Sequence, residues 1–471
     1  MYFKIKSNIL FRQYDEYGYI TDNSEFGYRM LDDSSKVVGD KYVSQSGAVI
    51  LGALSKKPQH VDSIVKKLLD IFVDVEFAEL KLDVVDFLLQ LVDCGYLSYG
   101  ETAEECNLDN TVRQECVRDG DVVKINDCSK EFTASSNSLR SVHIEIVSKC
   151  NERCVHCYIP HKYKVEEMDS ALFYKIVEEA RKLNVVNVTL SGGEPLLHKD
   201  ILKFMAKCRE LDFSVNVLTN LTLLTDDIIT EMRRNPLLSV QTSLYSMEPC
   251  VHDSITGVSG SFIKTKEGLM KLLSVGVPLQ ISCPIMKQNK DSFTEVIKWG
   301  DNNNIGVSPD YVIFAAYDHS NDNLLNRLSL EEVGEAIDKQ LSVEYVDAMR
   351  ETASKKYLIP EDAPICSICK DNLCVSADGN VFPCVGWQEN TLGNLKYQTI
   401  GDIWKFSEKI KFLRSIKRSM FPKCMSCEDR GYCNICMRCN DNENSDAFKV
   451  SDFYCKTASL IHNKMNSFST I

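Results

Sequence analysis

No apolar run in this sequence reaches about eighteen residues, the length a helix needs to cross a bilayer, so no membrane-spanning helix is expected. The opening stretch, MYFKIKSNILFRQYDE, has neither the apolar core nor the small-residue cleavage site of a secretory signal. The expected location is therefore the cytoplasm, where thiols stay reduced and structural disulfides are rare. Positive charge is also in short supply. Lys+Arg number 54 against 67 Asp+Glu, a formal net charge of -13, which argues against nucleic acid as the main partner. The 471 residues are 44% hydrophobic and 26% charged, ordinary values for a globular protein with room for two to four domains.

Cysteine, by contrast, is abundant. There are 20, and ten of them lie between Cys366 and Cys455. In a reducing compartment such crowding reads as metal binding.

Three modules and a linker are legible. Residues 1–100 open with strand-like runs at 2–6, 9–14, 17–21 and 26–31, with turns at Asp15-Glu16 and at the DDSS of 32–35. In HVDSIVKKLLDIF the apolar residues Val61, Ile64, Val65, Leu68, Leu69 and Phe72 have helical spacing, and LDVVDFLLQLVDCGYL reads as a helix that stops at Gly95. Strands followed by three helices predict a small winged-helix-like unit. Residues 101–138 have weak periodicity and read as a linker or wrap-around segment. Its Cys106, Cys116 and Cys128 are too far apart to name a site and read as plain thiols.

From 139 to 355 six strand-like runs (SVHIEIV, VVNVTLS, FSVNVLT, LLSVQTSL, VPLQISCPI and SPDYVIF) alternate with helical stretches such as SALFYKIVEEARKLN. Six β–α units predict an α/β fold with a parallel sheet, open or curling toward a barrel, whose chemistry sits at the carboxyl ends of the strands. From 356 to 471 the pattern dissolves into short elements and cysteines, and metal is expected to supply the core there. Cys94, Cys208, Cys250, Cys283 and Cys374 fall in helical or strand-like stretches and read as buried small apolar residues.

Cys150, Cys154 and Cys157 directly follow the first strand of the alternating region, spaced Cys-x3-Cys-x2-Cys. Three thiolates can hold three irons of a four-iron, four-sulfur cluster, which leaves one iron open, and an open coordination position is how a metal site does chemistry. A zinc knuckle that borrows His156 or His161 is the alternative. The second strand ends in Ser191-Gly192-Gly193-Glu194-Pro195, where glycines permit close backbone approach and a carboxylate can accept from an ammonium. A plain turn is the alternative here.

The triplet, flanked by His156 and Tyr158, together with the Gly-Gly-Glu-Pro run, resembles the radical S-adenosylmethionine (SAM) family. The resemblance implies a partial (β/α)6 TIM barrel in which SAM occupies the open iron and yields a 5′-deoxyadenosyl radical. It implies SAM contacts at Tyr158, Gly192, Gly193 and Glu194, and also at Asn220, Ser243 and Asn289, which follow the ends of later strands. HDSITGVSGSF, 252–262, is similar to a further segment of that family, with glycines that read as structural.

The C-terminal block resembles SPASM domains, found on radical SAM peptide maturases. Gly379-x4-Cys384 and Cys424-x2-Cys427-x5-Cys433 fit their pattern. The next step departs from it, because Cys433 is followed by Cys436 and Cys439, with Met437 where the strict pattern has cysteine. The resemblance implies two auxiliary iron–sulfur clusters. One takes Cys424, Cys427, Cys433 and Cys455. The other takes Cys366, Cys384 and Cys436, with Cys369 as a candidate fourth. Two structural zincs are the alternative.

Residues 1–100 resemble the PqqD-like recognition element of enzymes that modify ribosomally made peptides, which implies that a precursor's leader adds as a strand to an exposed sheet edge. EFGYRML, 25–31, is the candidate edge. With 11 Lys+Arg and 15 Asp+Glu, the module does not suit DNA. A purely structural cap is the other possibility.

Together the resemblances imply a peptide maturase that forms cysteine sulfur-to-carbon thioethers of sactipeptide or ranthipeptide type, served by a flavodoxin or ferredoxin. Carbon–carbon crosslinking, epimerisation, formylglycine formation as in anaerobic sulfatase maturases, and a non-catalytic iron–sulfur scaffold are the alternatives.

Overall fold

The computed structural model describes residues 1–31, 38–109 and 137–468. Cys116, Cys128 and the DDSS turn lie outside the described residues. Among the described residues no helix is long and apolar enough to cross a membrane.

The front module contains two three-stranded sheets. Strands β1 (Tyr2–Ile5), β2 (Leu10–Gln13), β3 (Tyr17–Thr21) and β4 (Asp40–Ser44) are followed by β5 (Gln59–His60) and β6 (Leu97–Gly100). The sheet orders are β5-β1-β6 and β2-β3-β4. Helices α1 (Gln45–Gly52), α2 (Val61–Leu69) and α3 (Phe77–Asp93) complete the unit. The α2 helix starts where the His60 side chain accepts from the Asp62 amide, and it buries Val61, Ile64, Val65 and Leu68 on one stripe. That stripe meets Leu80, Val84, Leu88 and Leu91 of α3 in a core of its own.

The expected strand at 26–31 does not form. Met30 instead makes an isolated bridge to Ile305, and Leu31 donates its amide to the Asn304 carbonyl. This segment is spent on docking and offers no free edge; the third strand of its sheet is β4. The linker begins as structure too. A capping box between Thr102 and Glu105 starts a helix over Ala103–Asn107, and Asp109 returns to Lys4 at 2.9 Å. Cys106 is buried.

The six expected barrel strands are present: β7 (Ser141–Val147), β8 (Asn187–Gly192), β9 (Ser214–Leu218), β10 (Leu238–Ser243), β11 (Leu279–Pro284) and β12 (Gly306–Asp310). Each is parallel to the next. The sheet continues past the expected module boundary. Strand β13 (Asn372–Val375) pairs parallel with β7, and β14 (Asn380–Phe382) and β15 (Gly393–Asn394) follow antiparallel, giving nine strands in all.

Two expectations are corrected here. The C-terminal region does not depend on metal for a core, because Trp387, Ile400, Ile403, Trp404, Ile410 and Leu413 are buried in the same apolar cluster as the barrel. Cys250 is exposed on the helix Pro249–Thr256 and is not a core residue.

The front module docks on the amino ends of the barrel strands. Arg12, 1% exposed, donates to the carbonyls of Val185 (2.9 Å), Phe11 (2.9 Å) and Asp212 (2.5 Å). Arg140, just before β7, pairs with Glu25 at 2.9 Å and lies over the Tyr19 ring. Asn216 donates to the Phe26 carbonyl at 2.7 Å.

Candidate functional site

At the carboxyl ends of the same strands lies a cavity of about 410 Å³. Cys150, Cys154 and Cys157 line it, carried on the loop after β7. Two backbone bonds strap that loop in place: Arg153 N–H to the Thr256 carbonyl (2.8 Å) and Val155 N–H to that of Ile255 (3.0 Å). The 252–262 segment has its job here. Asp253 accepts from the amides of Gly260 (2.6 Å) and Phe262 (2.8 Å), which fixes the turn behind the cysteine loop.

Burial pushes the Cys150 thiol up to about 11. It also raises Cys154 well above the usual thiol range, with Glu152 and the other two cysteines adding repulsion. Such thiols stay protonated by themselves and give up their protons to a metal. Among the described residues no three His, Cys, Asp or Glu side chains converge on a point that would hold a single ion. In a four-iron cluster each thiolate has its own iron, and three cysteines that line one cavity fit that group.

Gly192 and Gly193 line the cavity, and their need for glycine is a close approach to the cysteine loop. A Cβ on Gly192, whose φ is +132°, would stand 1.9 Å from the Val147 carbonyl oxygen; one on Gly193 would stand 2.2 Å from that of Lys149. Glu194 does not enter the cavity. It is 0% exposed, and its carboxylate accepts from Thr219 Oγ1 (2.6 Å) and from the amides of Asn220 (2.7 Å) and Leu196 (3.0 Å). Burial raises its carboxyl to about 7. The Gly-Gly-Glu-Pro run thus brackets three strand ends. Its glycines press on the loop after β7, and its carboxylate clamps the end of β9.

Tyr158, Asn220 and Ser243 reach the cavity as expected. Asn289 does not. It is 0% exposed, and its amide is consumed by the carbonyls of Tyr245 (2.8 Å) and Pro284 (3.0 Å) and by the Met286 amide (2.7 Å). Asn220 takes part in a surface chain, donating to Asn151 at 2.9 Å. Sequence reading missed His143, Asp310 and Glu152. All three line the cavity, and burial holds His143 down to about 4 while lifting Asp310. For His143 a signal existed: a polar residue on a strand otherwise rich in Val and Ile.

A second cavity, of about 470 Å³, is lined by Cys366, Cys384, Cys436 and also Cys433, together with Lys356, Arg418 and Arg438. Cys369 is buried beside it and does not line it; burial pushes its thiol up to about 12. Cys439 accepts from Arg438 at 3.5 Å. Farther out, Cys424, Cys427, Cys433 and Cys455 neighbour one another closely enough that Cys424, Cys433 and Cys455 are each raised by burial and by the other thiols. The two cavities nearly touch. Cys384 lines the second and Val385 the first, and the Arg438 guanidinium lies 3.8 Å over the Phe314 ring between them.

Comparison with known proteins accounts for each module. The Radical SAM superfamily model matches residues 144–300, the SPASM iron–sulfur cluster-binding domain 366–428, and the coenzyme PQQ synthesis protein D model 37–97. An AdoMet-dependent heme synthase of Methanosarcina barkeri is 25% identical over 332 residues, 64% of this chain and 92% of that protein. A PqqA peptide cyclase of Methylocella silvestris is 24% identical over 299 residues, 60% of this chain and 78% of that one. In fold, the chain is similar to Streptococcus suis SuiB bound to the precursor peptide SuiA, with TM-score 0.61 and 15% identity over 96% of this chain and 99% of SuiB. It is also similar to SuiB bound to S-adenosylmethionine, with TM-score 0.59 and 14% identity over the same shares. A radical SAM domain takes a four-iron, four-sulfur cluster and SAM, and a SPASM domain takes auxiliary iron–sulfur clusters. The chain thus carries a radical SAM domain and a SPASM domain, with a PqqD-like domain in front of the barrel.

Proposed function

We propose that this protein modifies a ribosomally made, cysteine-bearing precursor peptide and forms thioethers between cysteine sulfur and carbon. Cys150, Cys154 and Cys157 hold the SAM-binding cluster. Gly192, Gly193, Tyr158, Asn220 and Ser243 shape the SAM cavity, and Glu194 and Asn289 act behind it as positioning residues. When bound, the cluster and SAM supply the 5′-deoxyadenosyl radical that takes a hydrogen atom from the peptide. The chain's own residues do the rest. The bracket around Glu194 keeps three strand ends in register.

One observation carries the thioether reading. Four cysteines line the second cavity, Cys366, Cys384, Cys433 and Cys436, one residue away from the reaction cavity. With Cys433 given to the outer set, Cys366, Cys384 and Cys436 are the three left to hold an open cluster. Three ligands leave room for a substrate thiolate, which suits iron, and holding sulfur beside the reacting carbon lowers the barrier by orientation. Cys424, Cys427, Cys433 and Cys455 form a complete set of four. In the front module, β4 pairs only with β3 among the described residues, and Lys41 on it reaches Cys94 at the end of α3 at 3.1 Å. The outer edge of β4, beside α3, is where the leader adds.

The test is anaerobic reaction with a cysteine-bearing precursor, read by mass spectrometry before and after alkylation. A thioether removes two hydrogens and blocks the cysteine from alkylation. Loss of two hydrogens with a free thiol means a carbon–carbon link, and an unchanged mass with a D-residue means epimerisation. Either result overturns the thioether reading.

A further inference from the structure

Pairing between β7 and β13 ends at Ile144 and Val375. Beyond that point the two strands part, and a separate cavity of about 240 Å³ opens along the seam between barrel and SPASM hairpin. Its volume is below the ~300 Å³ where small-molecule pockets begin, so it has room for one long side chain. Glu145 of β7 lines it, with Gln388, Asp378, Glu166, Tyr163 and Tyr317. No Lys, Arg or His does.

Glu145 is 5% exposed. Its carboxylate meets the Gln388 amide at 3.2 Å to each oxygen and the Tyr158 hydroxyl at 3.5 Å. Apart from Glu152 of the reaction cavity, which has one unpartnered oxygen, other buried carboxylates of this protein are better served. Glu231 has Arg209 and Arg234, Glu443 has Arg327, and Glu194 has two backbone amides. A buried carboxylate with neither a cation nor a backbone donor is costly to keep. The Gln388 Oε1 atom beside it is also buried and has no donor. Two acceptors that share one small space call for a group rich in N–H. Asp378 and Glu166 add negative charge to the wall. The Tyr163 ring already carries Lys162, whose Nζ lies 4.8 Å from its centroid, and the Tyr317 ring, 5.4 Å from that of Tyr163, offers a further face that favours a cation.

We propose that the seam cavity is a binding subsite for a cationic side chain, a lysine or arginine of the peptide substrate, with Glu145 as its counter-ion and Gln388 as a second acceptor. The proposal rests on the peptide-modifying reading and deepens it. Tyr158 joins the two sites, because its ring lines the reaction cavity while its hydroxyl reaches Glu145. A side chain anchored at Glu145 therefore sets which neighbouring residue of the peptide meets the radical.

Saturation-transfer NMR on the full-length, anaerobically reconstituted protein tests this with two probes of nearly equal shape, Nα-acetyl-lysine amide and Nα-acetyl-norleucine amide. The lysine compound is expected to bind at least tenfold more tightly, and E145Q is expected to remove that preference. Equal binding of the two probes to the wild type, or a preference that survives in E145Q, overturns the subsite. Should E145Q lose its iron, Gln388→Leu takes its place: a preference reduced several-fold supports the proposal, and an unchanged one overturns it. Neither measurement uses a precursor. A missing preference leaves the peptide-modifying reading standing, whereas a precursor of unchanged mass and unchanged stereochemistry, with 5′-deoxyadenosine still formed, sinks that reading and leaves the cation preference to be judged separately.

Discussion

The two ends of the barrel strands handle charge in opposite ways. At the amino ends Arg12 and Lys56 pair with Asp212, and Arg140 pairs with Glu25. At the carboxyl ends Glu145 and Glu152 are buried, His143 is half-buried and Asp310 lies at an exposed strand end, and none makes an ion pair among the described residues; burial takes Glu145 and Glu152 up to about 7. Pairing every charge is what an interface does when it has only to stay together. Leaving ionisable groups buried and unmatched lowers stability, and a fold keeps them where chemistry or binding uses them. Position along one set of strands thus separates the docking face from the reacting face.

That contrast predicts a graded series of effects. The largest belongs to Cys154→Ala, which should remove the cluster iron of the cysteine loop, about four atoms per chain, and abolish 5′-deoxyadenosine formation. An iron assay beside product chromatography reads both, and near-normal turnover would erase the contrast. Next comes Gly193→Ala. Its methyl would lie 2.2 Å from the Lys149 carbonyl oxygen, so the denaturation midpoint should fall by an amount equivalent to about 4 kcal/mol, with SAM binding lost as the loop shifts. At the other end, Arg12→Met strands the carbonyls of Val185 and Asp212 and should cost about 3 kcal/mol. Because this face only docks, 5′-deoxyadenosine formed per cluster should stay at the wild-type level; a selective fall in that ratio would mean that the amino ends also serve the reaction.

The smallest effect is one of pH. The Glu145 carboxyl is held at about 7 by burial, so the folded protein keeps a proton that the unfolded chain has already released. Stability from this group should therefore fall as pH rises from about 4.5 to about 7, by up to about 3 kcal/mol. His143, held down to about 4 by burial, works in the other direction between about 4 and 6.5. Comparing wild type with E145Q isolates the carboxylate. Matching pH profiles for the two would show that Glu145 finds a cation or enough water in solution.

Much of this was legible from the chain, and the limits have physical causes. Strands β7 to β11 announce themselves because their buried Val, Ile and Leu leave little ambiguity on a parallel sheet, and the cysteine triplet follows the first of them at a strand end. Strand β12, Gly-Val-Ser-Pro-Asp, has no such run, starts two residues ahead of the expected SPDYVIF and leaves its apolar end outside the strand. The 26–31 run has the residues of a strand, yet Met30 is drawn to Ile305 by docking, which local preference does not encode. Glu194 and Asn289 look like ligand contacts because polar residues at strand ends do, but each is consumed by neighbouring backbone. Glu145 and Gln388 lie 243 residues apart in sequence, so no local pattern links them. The C-terminal core was obscured because its buried residues, Trp387 and Ile403 among them, join the barrel's apolar cluster from short elements that show no visible period.

The pairing of β13 with β7 has a practical corollary for anyone dividing this protein. Cutting near residue 356 to express the barrel alone would strip the edge of its first strand and expose a row of unanswered N–H and C=O groups, a template for aggregation. The smallest soluble fragment that contains the SAM site should therefore extend at least through Asn394, the last residue of the shared sheet. Chimeras that exchange C-terminal halves between relatives should be joined ahead of Asn372, so that the new partner brings its own closing strand.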